Sequence, residues 1–140
     1  MPLFSEGLLI ITDGKSSISM HPPVPYSGGY GFHHQVDLVG GPFSGSIEAS
    51  HYENAEAYWR SRYQEVIGLY RNLSGEVHLA NAYENLRVSL RGNDRGHVFV
   101  RVEANAGNEM DKQLNYNFTV DQTHLVGVYA ILEQWLATDG

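Results

Sequence analysis

The sequence has 140 residues, 42% of them hydrophobic and 18% charged, which is the length of one domain, too apolar for a disordered chain and too polar for a membrane protein. Sixteen Asp and Glu against nine Lys and Arg leave a formal charge of -7, which opposes nucleic acid as a direct ligand and favours steering toward a basic partner. The absence of cysteine excludes disulfides, thiolate metal sites and a Cys nucleophile.

The opening MPLFSEGLLIITDG has no basic n-region and no apolar run long enough for a signal peptide or a membrane span, so a cytoplasmic location without membrane contact is expected. Leu8 to Thr12, the turn Asp13-Gly14-Lys15 and Ser17 to Met20 read as a hairpin. His21 to Gly29 holds three of the five prolines, and its backbone is expected to form a loop without a ladder. Tyr30, Phe32, His34, Val36 and Leu38 then alternate with small or polar residues, as a half-buried strand requires. Gly40-Gly41-Pro42 ends that strand, and Phe43, Gly45, Ile47 and Ala49 alternate with Ser and Glu in a second one expected to pair with it antiparallel.

At Ser50 the period changes. Trp59, Tyr63, Val66, Ile67, Tyr70 and Leu73 recur at helical spacing, so a helix is expected over 52–72, with Glu53 and Glu56 near its positive end and Arg71 near its negative end. Three strands follow, Glu76 to Ala80, Leu86 to Arg91 and His97 to Ala104. A polar loop from Asn105 to Asp111 leads to a fourth, running from Leu114 to Val120. Leu125, Val128, Tyr129, Leu132, Trp135 and Leu136 mark a second helix over 122–137, with Asp121 or Thr123 as its N-cap. The sum is an α+β fold: a mostly antiparallel sheet of about seven or eight strands with two helices on one face, in one domain over 1–140. Trp59 and Trp135 belong on the sheet-facing sides of their helices.

The residues that carry chemistry are sparse. Seven histidines invite a metal site, but His33 and His34 are adjacent on a strand and point to opposite faces, and there is no helical His pair or HExxH motif. No nucleophile elbow, GxGxxG fingerprint or P-loop is present, and Gly28-Gly29-Tyr30-Gly31 leads into a strand rather than a helix N-terminus. No catalytic residue, cofactor or metal ligand is therefore assigned. Nine tyrosines are a stronger signal, because Tyr is favoured in contact patches. Tyr63, Tyr70, Tyr116 and Tyr129 fit core stripes, which leaves Tyr26, Tyr52 and Tyr83 as candidate anchors.

From Phe43 onward the chain resembles the WapI-type immunity proteins of bacterial polymorphic toxin systems. The resemblance is carried by Phe43-Ser44-Gly45, by Leu69-Tyr70-Arg71-Asn72-Leu73-Ser74-Gly75-Glu76, and by the Leu86-Val88-Leu90 strand. Asp94-Arg95-Gly96-His97-Val98 and Asp121-Gln122-Thr123-His124-Leu125 complete it. It implies a non-catalytic cytosolic protein that neutralises a cognate toxin domain, often a nuclease, by binding it, and the negative charge suits a basic partner. The rival reading is a small-molecule-binding or metal-dependent enzyme on the same α+β scaffold. The expected binding surface comprises Glu48, Tyr52, Glu53 and Glu56 at the strand-to-helix junction, with Tyr83 and Glu84 in the following loop. The same charges are also accounted for as ordinary solvated groups.

Overall fold

The computed structural model describes residues 7–28, 30–82, 85–106 and 112–137. It is an α+β fold of antiparallel strands and two helices, as the periods require. The strands are divided between two sheets, of five and four strands, rather than gathered into one. Period-2 alternation records which face of a strand is buried but not which neighbours it takes, so this division was invisible in the pattern.

The first sheet holds β1 (Leu9–Thr12), β2 (Ser16–Met20), β3 (Val24–Pro25), β4 (Phe32–Gly40) and β5 (Phe43–His51). Asp13 closes the β1–β2 turn, its Oδ1 accepting from the Lys15 and Ser16 amides at 2.8 and 2.7 Å. Strand β2 pairs with the second half of β4, from Met20↔Val36 to Ser16↔Gly40, and β5 runs along the full length of β4 on its other edge. The Pro-rich stretch does form a short ladder, with Val24 opposite His33 and Pro25 opposite Phe32. Two residues at a sheet edge tolerate the missing proline N–H, which a central strand would not.

The second sheet is the expected meander, β6 (Ser74–Ala82), β7 (Leu86–Asn93), β8 (His97–Ala106) and β9 (Lys112–Asp121), each antiparallel to the next. Residues 83–84 and 107–111 of its connections lie outside the described residues. Leu86, Val88 and Leu90 are buried while Arg87 and Arg91 are exposed, as their alternation predicts.

Helix α1 (Ala55–Asn72) starts later than residue 52 because Asn54 takes the cap, its side chain accepting from the Ala57 amide at 3.0 Å. Glu53 thus precedes the helix. The helix ends on Leu73, which adopts the left-handed conformation (φ 59°) with its amide on the Leu69 carbonyl. Gly92 of β7 is required there, since a Cβ would lie 2.5 Å from the Leu73 oxygen. Helix α2 (His124–Leu136) has Thr123 at its N-cap position without a side-chain cap bond.

Both sheets and both helices contribute to one hydrophobic core. Helix α1 packs against β6 and α2, α2 against β1, and β9 against β1 and β4. Tyr116 of β9 joins the two sheets: its ring lies over Gly40, where a Cβ would come within 2.9 Å, and its hydroxyl donates to the Ser17 carbonyl at 2.6 Å. Trp59 and Trp135 are fully buried and meet edge-on at 5.1 Å. The first half of β5 departs from its pattern. Phe43 is 67% exposed and nothing lies within 4 Å of a Cβ at Gly45, so alternation there reports no burial. Tyr30 likewise stands outside its strand, 74% exposed.

Candidate protein-interaction site

The antiparallel meander brings distant segments to one end of the molecule. Strands β6 and β8 finish there and β7 begins there, with Ala82 opposite Leu86 and Arg87 opposite both Asn81 and Glu103. The end of β5 and the turn into α1 face them. Between the two lies a groove of about 610 Å³, walled by His51, Tyr52 and Glu53 on one side and by Asn81, Asn85, Arg87, Glu103 and Asn105 on the other. Asn85 ties the sides together. Its Nδ2 donates to the Glu48 carbonyl at 2.8 Å, and its own carbonyl accepts from the Asn105 amide at 2.9 Å.

Of the six residues expected from the sequence, Tyr52 and Glu53 line this groove. Glu48 reaches it only through the Asn85 bond, and its carboxylate lies 3.2 Å from His33 Nδ1 on the outer sheet face. Glu56 does not line it; its carboxylate pairs with Arg60 one turn on, at 2.8 Å. Tyr83 and Glu84 lie outside the described residues, although their neighbours Ala82 and Asn85 both line the groove. Asn81, Asn85, Arg87 and Asn105 carry no local signal in the sequence, because nothing marks a strand terminus as lying beside the start of a distant helix.

Behind the groove sits an aromatic cluster containing two buried imidazoles. His51 stacks on Phe32 (centroids 4.4 Å apart, 9° between planes) and leans on Tyr58, while His34 meets Trp59 edge-on at 5.6 Å. His34 Nδ1 donates to the His21 carbonyl at 3.0 Å, and the Nε2 atoms of both rings make no hydrogen bond among the described residues. Burial pushes His34 down to about 4 and His51 down to about 3, so both are neutral at physiological pH. His33, the adjacent residue on β4, is half-buried where His34 is buried, as alternation along a strand requires. On that outer face Asp37 accepts from Ser46 at 2.6 Å, from Gln35 and from His21; these bonds, Ser46 foremost, hold its carboxyl down to about 2.

The site offers hydrogen-bonding amides, carboxylates, one guanidinium and an exposed tyrosine, groups able to form hydrogen bonds and ion pairs. The family described as "Immunity protein WapI-like family" matches residues 45–138, which enclose the whole groove. The chain belongs to the WapI-like immunity protein family. Among solved structures, a chain of the CdiA-CT/CdiI toxin and immunity complex from Enterobacter cloacae is similar to this WapI-like protein with a TM-score of 0.50 and 11% identity, over 92% of this chain and 99% of that one. At that identity the likeness is one of fold. A chain from the crystal structures of Trypanosoma bruciei MRP1/MRP2 aligns with a TM-score of 0.47 and 8% identity, over 96% and 83% of the two chains, and nothing further rests on it. No curated protein matches the WapI-like chain in sequence. Among its described residues, no helix is long and apolar enough to cross a membrane.

Proposed function

We propose that this chain is a cytoplasmic immunity protein that acts as a single domain, neutralising a cognate toxin domain by direct binding and performing no chemistry of its own. The observation that carries the proposal is the family match over 45–138, which spans both helices, the entire second sheet and every residue of the groove. The toxin surface is proposed to be basic. In support, the chain carries a charge of -7, and Glu48, Tyr52 and Glu53 are exposed around one end of the fold, with Glu56 on the adjoining helical turn. Tyr83 and Glu84 complete the proposed surface by sequence. Neither nucleic acid nor a membrane is a proposed partner. The enzyme reading has less support, because amide and charged side chains dominate the groove in place of aromatic walls around a converging polar set.

Where an adjacent reading frame encodes a toxin domain, co-expression of this protein with that domain should restore growth of a bacterial host. The triple variant E48K/E53K/E84K should lose protection, and its association with the toxin should slow and become less sensitive to salt, because steering by the acidic surface is screened over about 10 Å at 0.1 M salt. Full protection with unchanged association kinetics in the triple variant would eliminate this surface. Failure of the unaltered protein to protect would eliminate that toxin as its target.

A further inference from the structure

We propose that the open edge of β5 pairs with the same edge of a second copy of this chain, in an antiparallel two-fold ladder centred on Gly45. The inference does not rest on the immunity reading; it follows from the segment Phe43-Ser44-Gly45-Ser46-Ile47 and from where the fold places it.

Strand β5 pairs with β4 along one edge and with no strand on the other among the described residues. Natural sheet edges are blunted by charges, bulges or proline. Here the register runs from Phe32↔His51 to Gly40↔Phe43 without a shift, and no charged residue lies between Asp37 and Glu48. Residues 43–46 are exposed, and Phe43 stands beside an apolar hollow of about 330 Å³ lined by Leu38, Ile47, Ala104 and Leu114. Glycine weakens a strand interior, yet the isolated fold does not require one at position 45: a Cβ there meets nothing within 4 Å, and the backbone is not left-handed. A glycine so placed suits the close approach of another backbone.

A two-fold contact needs a self-complementary patch, and this segment supplies one: about Gly45, Phe43 falls opposite Ile47 and Ser44 opposite Ser46. Backbone polarity selects that register. The Glu48 carbonyl points away from β4, because it accepts from Asn85 Nδ2, and by alternation Ser44 and Ser46 turn their N–H and C=O the same way. Centring on Gly45 lets these two residues bond their counterparts in both directions. Beyond them Pro42, which has no N–H, falls opposite Glu48, whose carbonyl is already bonded, so the ladder ends without a lost partner. A centre at Ser44 would set Pro42 against Ser46 and lose bonds; a centre at Ser46 would aim Ser44 at the carbonyl that Asn85 occupies. Charge agrees with a second copy as the occupant. The uncharged edge gives a basic toxin strand no ion pair, and Lys112 in the hollow opposes one. The two Glu48 residues lie six positions out of register, about 20 Å apart and beyond the screening length at 0.1 M salt.

The test is sedimentation velocity of the full chain up to about 1 mM, the range suited to a contact of this small size. The mass should rise from one chain toward two. Gly45→Lys puts two ammonium groups at the centre of the pair and should weaken association at least about tenfold. Ser44→Pro, which removes one outward N–H, should act in the same direction. On mild oxidation Gly45→Cys should form an interchain disulfide, since the paired Cα atoms would lie about 4.5 Å apart, whereas Phe43→Cys, about 13 Å from its counterpart, should not. The chain has no other cysteine, and unchanged circular dichroism shows each variant to be folded. A mass of one chain throughout, association unaffected by Gly45→Lys and Ser44→Pro, or failure of Gly45→Cys to cross-link more readily than Phe43→Cys would each overturn the proposal. A protein that stays monomeric while Gly45→Lys abolishes toxin binding would assign the edge to a strand of the toxin, and would overturn it likewise.

Discussion

Replacing Trp59 with alanine is expected to lower the unfolding free energy by about 3–5 kcal/mol, a large share of what a domain of this size has to lose. Trp59 is fully buried and lies at the contact of α1, α2 and the first sheet, with ring centroids 4.9 Å from Tyr58, 5.1 Å from Trp135 and 5.8 Å from Phe32. The neighbouring indole should behave differently under a smaller change. Trp135 Nε1 donates to the Gly7 carbonyl at 2.7 Å, whereas Trp59 Nε1 is buried without an acceptor among the described residues. Trp135→Phe therefore strips a hydrogen bond from the start of the described chain, and Trp59→Phe removes an unsatisfied donor that offsets part of the lost packing. Urea denaturation should rank Trp135→Phe as the more damaging of the two. Equal costs, or a mild Trp59→Ala, would show that the indoles do not form the hub these contacts describe.

The second large effect is acid lability. In the folded protein His34 and His51 are held at about 4 and about 3, below the 6.5 of an exposed imidazole, because burial disfavours their charged forms. The unfolded chain therefore binds more protons than the folded one once the pH drops below about 6.5. The sign follows: stability is complete above that pH and is lost as pH falls through the window from 6.5 toward 4, each imidazole withdrawing up to about 1.4 kcal/mol per pH unit. Asp37 acts outside this window, since its carboxyl, held down to about 2, costs stability only when pH falls below about 4. Unfolding free energies measured at pH 7, 6, 5 and 4.5 should decline steeply. Phenylalanine at position 51 keeps the stack on Phe32 and has no proton to bind, so His51→Phe should reduce the slope by about half. A flat profile, or an unchanged slope in that variant, would mean that these rings titrate as exposed ones do.

Histidine 34 shows how far the sequence could be read. Its place in the alternation Phe32, His34, Val36, Leu38 put it on the buried face, and it is buried there. The pattern could not show that His51, at the end of another strand, would join it, because that depends on the Phe32↔His51 register. Helix α1 was legible as a helix and less so as a surface: Tyr58 is buried beside Trp59 and its hydroxyl oxygen accepts from the Asn81 amide at 3.0 Å, a contact outside the helical stripe read from spacing. Val24–Pro25 was missed because proline content outweighs a two-residue edge pairing in any local reading. At the candidate site, Tyr52 and Glu53 could be found from the strand-to-helix junction. Their counterparts Asn81, Asn85, Arg87 and Asn105 are assembled by the topology of the second sheet, which no local spacing encodes.

Neutralisation by the proposed route is stoichiometric binding without turnover. The most direct measurement is the residual activity of a fixed amount of the cognate toxin domain as this protein is added in increments, with the mass of the toxin determined at the end. Activity should fall linearly to zero at one equivalent, with the toxin chain chemically unaltered. Complete inactivation by a small fraction of an equivalent, or a toxin that keeps its activity in excess immunity protein, would contradict it.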